Sequence, residues 1–139
     1  MLGAADFART WDVRRVITDR FSDQVVKFNG QAVMSVRGDG DLDYQEDGTM
    51  TLGAGPAMTA TRRYLWRVGT RRVDVMFADG APFHTFVPSG QSRGTDHPCG
   101  DDFYTVAYDF AGWPDWTATW DVTGPRKDYR SVSHYSIAR

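Results

Sequence analysis

The chain has 139 residues, with 18 acidic against 16 basic side chains for a net charge of −2, 41% apolar residues, and 8 Phe, 6 Tyr and 5 Trp. That length suits one domain over residues 1–139, and the apolar content supports a packed core and excludes a disordered chain. The charge is near-neutral with no basic block, and no apolar run reaches the ~18 residues of a span, so neither nucleic acid nor membrane is an expected partner and the cytoplasm is the expected location.

Leu2, Ala5 and Phe7 fall at helical spacing, which predicts one short N-terminal helical turn and no other helix. Trp11, Val13 and Arg15 then alternate with Asp12, Arg14 and Val16 as a first strand ending near Asp19. Residues 24–37 read as one long strand bent at Asn29-Gly30. Residues 42–46 and 49–52 read as a hairpin closed at Asp47-Gly48, a dipeptide that favours type I′ turns. In Met58–Val68 the residues Arg62, Tyr64 and Trp66 share one face. Residues 71–77 and 82–87 continue the meander, turning at Asp79-Gly80. Residues 88–101 hold three Gly and two Pro without periodicity and read as the one long loop. Residues 102–110, 116–122 and 129–137 are the last strands, with Tyr104 sharing a face with Tyr108, and Trp116 with Trp120. About nine or ten short strands joined locally predict an all-β, up-and-down antiparallel barrel, which leaves no exposed edge.

Several motifs then resemble a known group: Tyr44-x-Glu46, Arg63-Tyr64-x-Trp66, Val75-x-Phe77-x-Asp79-Gly80-x-x-Phe83-His84-x-Phe86, His97-x-Cys99-x-x-Asp102-x-Tyr104, and Trp120-x-Val122-x-Gly124-Pro125-Arg126-Lys127-Asp128-Tyr129. Together they resemble an uncharacterised microbial family of small single domains and cover most of the chain. The resemblance implies a lipocalin-type or calycin-type barrel, a class similar to small-molecule carriers, and transfers no catalytic role. Arg9-Thr10-Trp11 departs from the Gly-x-Trp opening of the lipocalins proper. Some barrels of the wider calycin class bind haem through a histidine, which by analogy makes His84, His97 or His134 axial candidates.

A barrel of this size is filled by side chains or holds one small ligand, so polar groups on aromatic faces are the informative ones. Arg62 lies on the Tyr64 and Trp66 face and Asp102 on the Tyr104 face; turned inward, they would form a charged pair in an apolar cup suited to an anion. Turned outward, Arg62 would snorkel or close a barrel end. His97 and Cys99 are the weak metal candidates, with His84 in reach across the loop, but they complete no four-ligand spacing, so no metal is expected. A hydrogen bond between His84 and Asp102 pinning the loop is the structural alternative. A Cys99 nucleophile lacks an identifiable residue to orient its base. Arg126 and Lys127 after Gly124-Pro125 put two cations at a rim where a carboxylate or phosphate could be held, unless the arginine packs over Trp11 at the barrel base.

The expected function is binding of a small, partly apolar, anionic ligand in an aromatic-lined interior. Arg62, Tyr64 and Trp66 would form one wall and Tyr104 and Trp120 another, with His84, His97 and Asp102 at the mouth and Arg126 and Lys127 at the rim. One alternative is a hydrolase or isomerase in which His84 or His97 acts as general base oriented by Asp102. The other is a protein-interaction module marked by an exposed apolar patch. No cofactor is specified by the residues, and the protein is expected as a monomer or homodimer.

Overall fold

Period-two alternation builds nearly the whole molecule: in the first strand Trp11, Val13 and Arg15 are buried while Arg14 and Val16 face out. The computed structural model describes residues 1–139. A four-residue helix, α1 (Ala4–Phe7), precedes β1 (Thr10–Asp19), β2 (Gln24–Val36), β3 (Leu42–Leu52), β4 (Met58–Val68), β5 (Val73–Phe77) and β6 (Pro82–Phe86). There follow β7 (Gln91–Arg93), β8 (His97–Cys99), β9 (Asp102–Asp109), β10 (Trp116–Gly124) and β11 (Lys127–Ile137). All pairings are antiparallel, and the sheet runs β6-β5-β4-β3-β2-β1-β11-β10-β9-β7 with β8 also on β9. The first strand thus pairs with the last, from Trp11 opposite Ile137 to Asp19 opposite Tyr129. The result is the nearly closed up-and-down barrel that the alternation predicts.

Its seam lies between β6 and the β7–β8 connection. There the Thr95 amide donates to the Thr85 carbonyl at 2.9 Å, and the Thr95 hydroxyl accepts the Thr85 amide at 2.9 Å. The Ser92 hydroxyl accepts the Val87 amide at 3.2 Å. Side-chain hydroxyls therefore complete the ladder where paired strands end.

Two local expectations are corrected. Asp47-Gly48 is not a turn: β3 runs unbroken, with Gly48 opposite Gly30 of β2. A Cβ on Gly30 would fall 2.2 Å from the Asp47 carbonyl oxygen, and one on Gly48 would fall 2.6 Å from the Phe28 ring. Both glycines serve close approach between strands, a use that composition does not separate from a turn. Residues 88–101 are likewise not one loop, because β7 and β8 each pair with the free edge of β9. Strands of three residues are too short to show alternation.

One end of the barrel is plugged. α1 crosses it and drives Phe7, fully buried, among Trp66, Phe110, Trp113 and Trp116 at ring-centroid distances of 5.4 to 5.9 Å. The buried Trp11 indole donates to the Phe7 carbonyl at 3.0 Å, which fixes the segment that carries the plug. The arginine over Trp11 is Arg9, 5.8 Å from the ring. Arg126 sits in the β10–β11 turn at the opposite end, so the expected packing of that arginine on Trp11 is not formed.

Candidate functional site

The other end opens into a cavity of about 350 Å³ within the barrel. Inward positions of β4, β9 and β10 supply Arg62, Tyr64, Trp66, Tyr104, Tyr108 and Trp120. From β1 and β11 come Arg15, Ser131 and Ser133. β6 adds two adjacent residues, Phe83 and His84, because its register against β5 shifts between Val75 and Met76. A bulge of this kind re-aims side chains, and here it breaks the alternation that would send one of the two outward.

The cavity has a polar wall and an aromatic wall. In the polar wall the Arg15 guanidinium forms a two-pronged ion pair with Glu46, Nη1 to Oε1 at 2.7 Å and Nη2 to Oε2 at 2.8 Å. Arg15 Nε donates to the Ser133 hydroxyl at 2.7 Å. The Tyr44 hydroxyl meets Glu46 Oε2 and lies 2.8 Å from the Tyr135 hydroxyl. Arg15 is 4% and Glu46 1% exposed, so both charges are desolvated and the pairing is obligatory. Burial pushes the Glu46 carboxyl up, but the hydrogen bonds and charge of Arg15, helped by Tyr44, hold it below its ordinary value. Burial raises Tyr44 and Tyr135 well within their protonated range. An ionised carboxylate only accepts, so Tyr44 donates to Glu46 and Tyr135 donates to Tyr44, giving a one-way chain. Arg62 Nε lies 3.7 Å from Glu46 Oε1, beyond hydrogen bonding, and its side chain is 45% exposed at the cavity entrance.

In the aromatic wall Phe83 stacks on Trp120 at 4.9 Å and on Phe77 at 4.5 Å. His84, 5% exposed, stands edge-on to Phe83 and Trp120, and its Nε2 is 2.8 Å from the Tyr108 hydroxyl. Its Nδ1 is buried without a partner. Burial, with a smaller contribution from the charge of His97, lowers the imidazole to about 3, so the ring is neutral at physiological pH.

Of the residues singled out in the sequence, Arg62, Tyr64, Trp66, His84, Tyr104 and Trp120 come together around the cavity. The candidates His97, Asp102, Arg126 and Lys127 do not line it. Asp102 is held by Lys127, whose Nζ donates to Asp102 Oδ2 at 3.1 Å and to the Tyr104 hydroxyl at 3.0 Å. Neither expected Asp102 interaction is therefore present: His84 bonds Tyr108 instead, and the anion nearest Arg62 is Glu46. His97 packs edge-on against Phe83 and Phe77 at the rim, while Cys99 and Arg126 are exposed. No three His, Cys, Asp or Glu side chains gather to hold a metal ion. His134 is on the outer face of β11 and cannot serve as an axial ligand inside the barrel. The sequence assigns no site role to Arg15, Ser131 or Ser133, and Glu46 enters it only through the Tyr44-x-Glu46 motif. Arg15 in phase with Trp11 and Val13, and Glu46 in phase with Leu42 and Tyr44, carry the same signal that singled out Arg62.

Fold and cavity together define a small calycin-like β-barrel with an internal site open at one end. The chain belongs to a family of unknown function (DUF6314), whose match spans residues 7–137. Among solved structures it is similar to the S-type phycobiliprotein lyase CPES from Guillardia theta, with a TM-score of 0.71 at 8% identity over 98% of this chain and 90% of that one. It is also similar to a protein of unknown function from the DUF3598 family of Nostoc punctiforme, with a TM-score of 0.59 at 12% identity over 97% of this chain and 48% of that one. At these identities the likeness is one of fold. No curated protein matches the sequence. No helix is long and apolar enough to cross a membrane.

Proposed function

We propose that the barrel binds one small, partly apolar molecule bearing an anionic group. The observation that carries this reading is the ring-lined cavity of about 350 Å³ with the Arg62 guanidinium at its entrance, free of any hydrogen-bonded carboxylate. The volume falls within the roughly 300–1,000 Å³ of small-molecule sites. Aromatic side chains supply apolar contact area, and a guanidinium recognises carboxylate or phosphate through paired N–H donors. The fold shared with a phycobiliprotein lyase supports a barrel that handles a small molecule, and transfers no residue to this chain. The general-base reading has no hydrogen bond between Asp102 and a histidine to rest on.

The first test is native mass spectrometry of the purified protein beside its denatured mass, followed by titration with 2-naphthoate, a flat aromatic acid. Trp66 and Trp120 in the cavity wall report occupancy by their fluorescence. Saturable quenching is expected, weakened about tenfold in Arg62→Met by loss of one charge-assisted contact. An unliganded native mass together with no saturable response to naphthoate would overturn the reading.

A further inference from the structure

We infer that the Ser131 hydroxyl is a second recognition point of the cavity, and that the molecule held there is an acid whose apolar frame carries a hydroxyl or carbonyl oxygen, bonded to Ser131 while the acidic group stays at Arg62. This deepens the binding reading above and rests on it.

The inward positions of β11 are Tyr129, Ser131, Ser133 and Tyr135, a row of hydroxyls along one wall of the cavity. The two deeper ones have structural partners: Ser133 accepts from Arg15 Nε at 2.7 Å, and the Tyr135 hydroxyl is 2.8 Å from that of Tyr44. Ser131 is only 6% exposed, lines the cavity and has no such partner. Nor is its hydroxyl sealed in the protein. The enclosed polar side-chain atoms without a partner are Asp74 Oδ1, His84 Nδ1 and Trp116 Nε1, so the unpaired Ser131 oxygen opens on the cavity. Its neighbours across the ladder are Ile17 of β1 and Trp120 of β10. Isoleucine has no polar side-chain atom and an indole only donates, so neither can accept the serine proton. An apolar occupant would cover this hydroxyl and leave it unpaired, at the cost of a lost hydrogen bond, whereas one that brings an oxygen here satisfies it.

The surroundings give such an occupant room and direction. Ala118, Ser131 and Ser133 are the smallest side chains of the cavity wall, and Ala118 lies opposite Ser133, so free space lies against this part of the sheet. Burial and then the Tyr104 hydroxyl raise Tyr129, and the charges of Lys127 and Arg62 oppose that rise, which places Arg62 near the mouth end of the β11 row. An acid that enters apolar end first, with its carboxylate left at Arg62, therefore passes Tyr129 and brings the next part of its frame to Ser131. A few placed polar groups on an otherwise apolar wall are what orient a small molecule in its site.

The test compares 2-naphthoate with 4-, 6- and 7-hydroxy-2-naphthoate on the full chain by calorimetry, so that the same carboxylate is paired with a hydroxyl at different positions on the frame. At least one hydroxy acid should bind about tenfold tighter than 2-naphthoate, the value of one hydrogen bond in a buried site. The quantity followed in the variants is that ratio, which cancels any general loss of binding. In Ser131→Ala the ratio should fall to about one, and in Ser131→Thr, which keeps an oxygen at the position, it should stay above about threefold. A ratio of about one for every hydroxy acid in the unaltered protein, or a ratio that survives in Ser131→Ala, overturns the inference and leaves the binding reading intact. No binding of any of these acids overturns both.

Discussion

The two ends of the barrel use the same aromatic residue types for opposite purposes. At the plugged end Phe7, Trp11 and Trp116 are at most 2% exposed and meet edge to face, with α1 filling the space between the strands. At the open end Tyr64, Phe83, Tyr104 and Trp120 keep part of their surface free, and the space they surround is empty of side chains. The difference lies in what else is present. One end receives a segment of the chain itself, whereas the other is bordered by a buried ion pair and its tyrosines, with no segment of the chain between its walls. Aromatic content alone therefore does not distinguish a core from a site; the polar groups beside it do.

That contrast can be broken most severely at the plug. Phe7→Ala should destabilise the protein by about 3–5 kcal/mol in urea unfolding, the range for removing a fully buried aromatic side chain. At the opposite wall Glu46→Ala should cost about 3 kcal/mol by the same measurement, because it leaves Arg15 buried and unpaired. Replacing both partners, Arg15→Met with Glu46→Leu, should recover most of that loss, as expected when a buried pair gives way to apolar packing.

A smaller effect, that of pH, follows from both walls of the open end. His84 is lowered from 6.5 to about 3 and Glu46 is lowered from 4.5, so the unfolded chain binds more protons than the native one on the acid side. Stability is then full above pH 6.5 and falls as pH drops toward 3 through His84, with Glu46 adding to the loss below 4.5. The His84 contribution has a limiting slope of about 1.4 kcal/mol per pH unit, which His84→Phe should remove from the unfolding profile between pH 6.5 and 4.5. The smallest effect is expected at the rim. Lys127→Met breaks an ion pair with partners 42% and 24% exposed, and should cost under about 1 kcal/mol in the same unfolding assay.

The legible part of this protein was the part carried by neighbours in sequence. Trp11 to Arg15, Arg62 to Trp66 and Trp116 to Val122 alternate by two, and the residues grouped on one face by that alternation do share a face; which face turns inward is shown by the burial pattern of the folded chain. The motif around Phe83-His84 drew attention to residues that do line the cavity. Three features were read wrongly or not read. Gly48 signals a turn and a close strand approach equally well, β7 and β8 are too short to carry a period, and the expected partner of His84 was Asp102 although Tyr108 holds it.

By itself the sequence determined an all-β meander, which residues of its long strands share a face and a supply of aromatic rings, because alternation and turn chemistry act over a few residues. Only the tertiary structure decided that Arg15 of β1 reaches across β2 to Glu46 of β3, that a register shift turns both Phe83 and His84 inward, and that Phe7 seals one end while the other stays open. Those choices depend on barrel closure and strand register, which are set by contacts between residues far apart in the chain and leave no periodic trace in it.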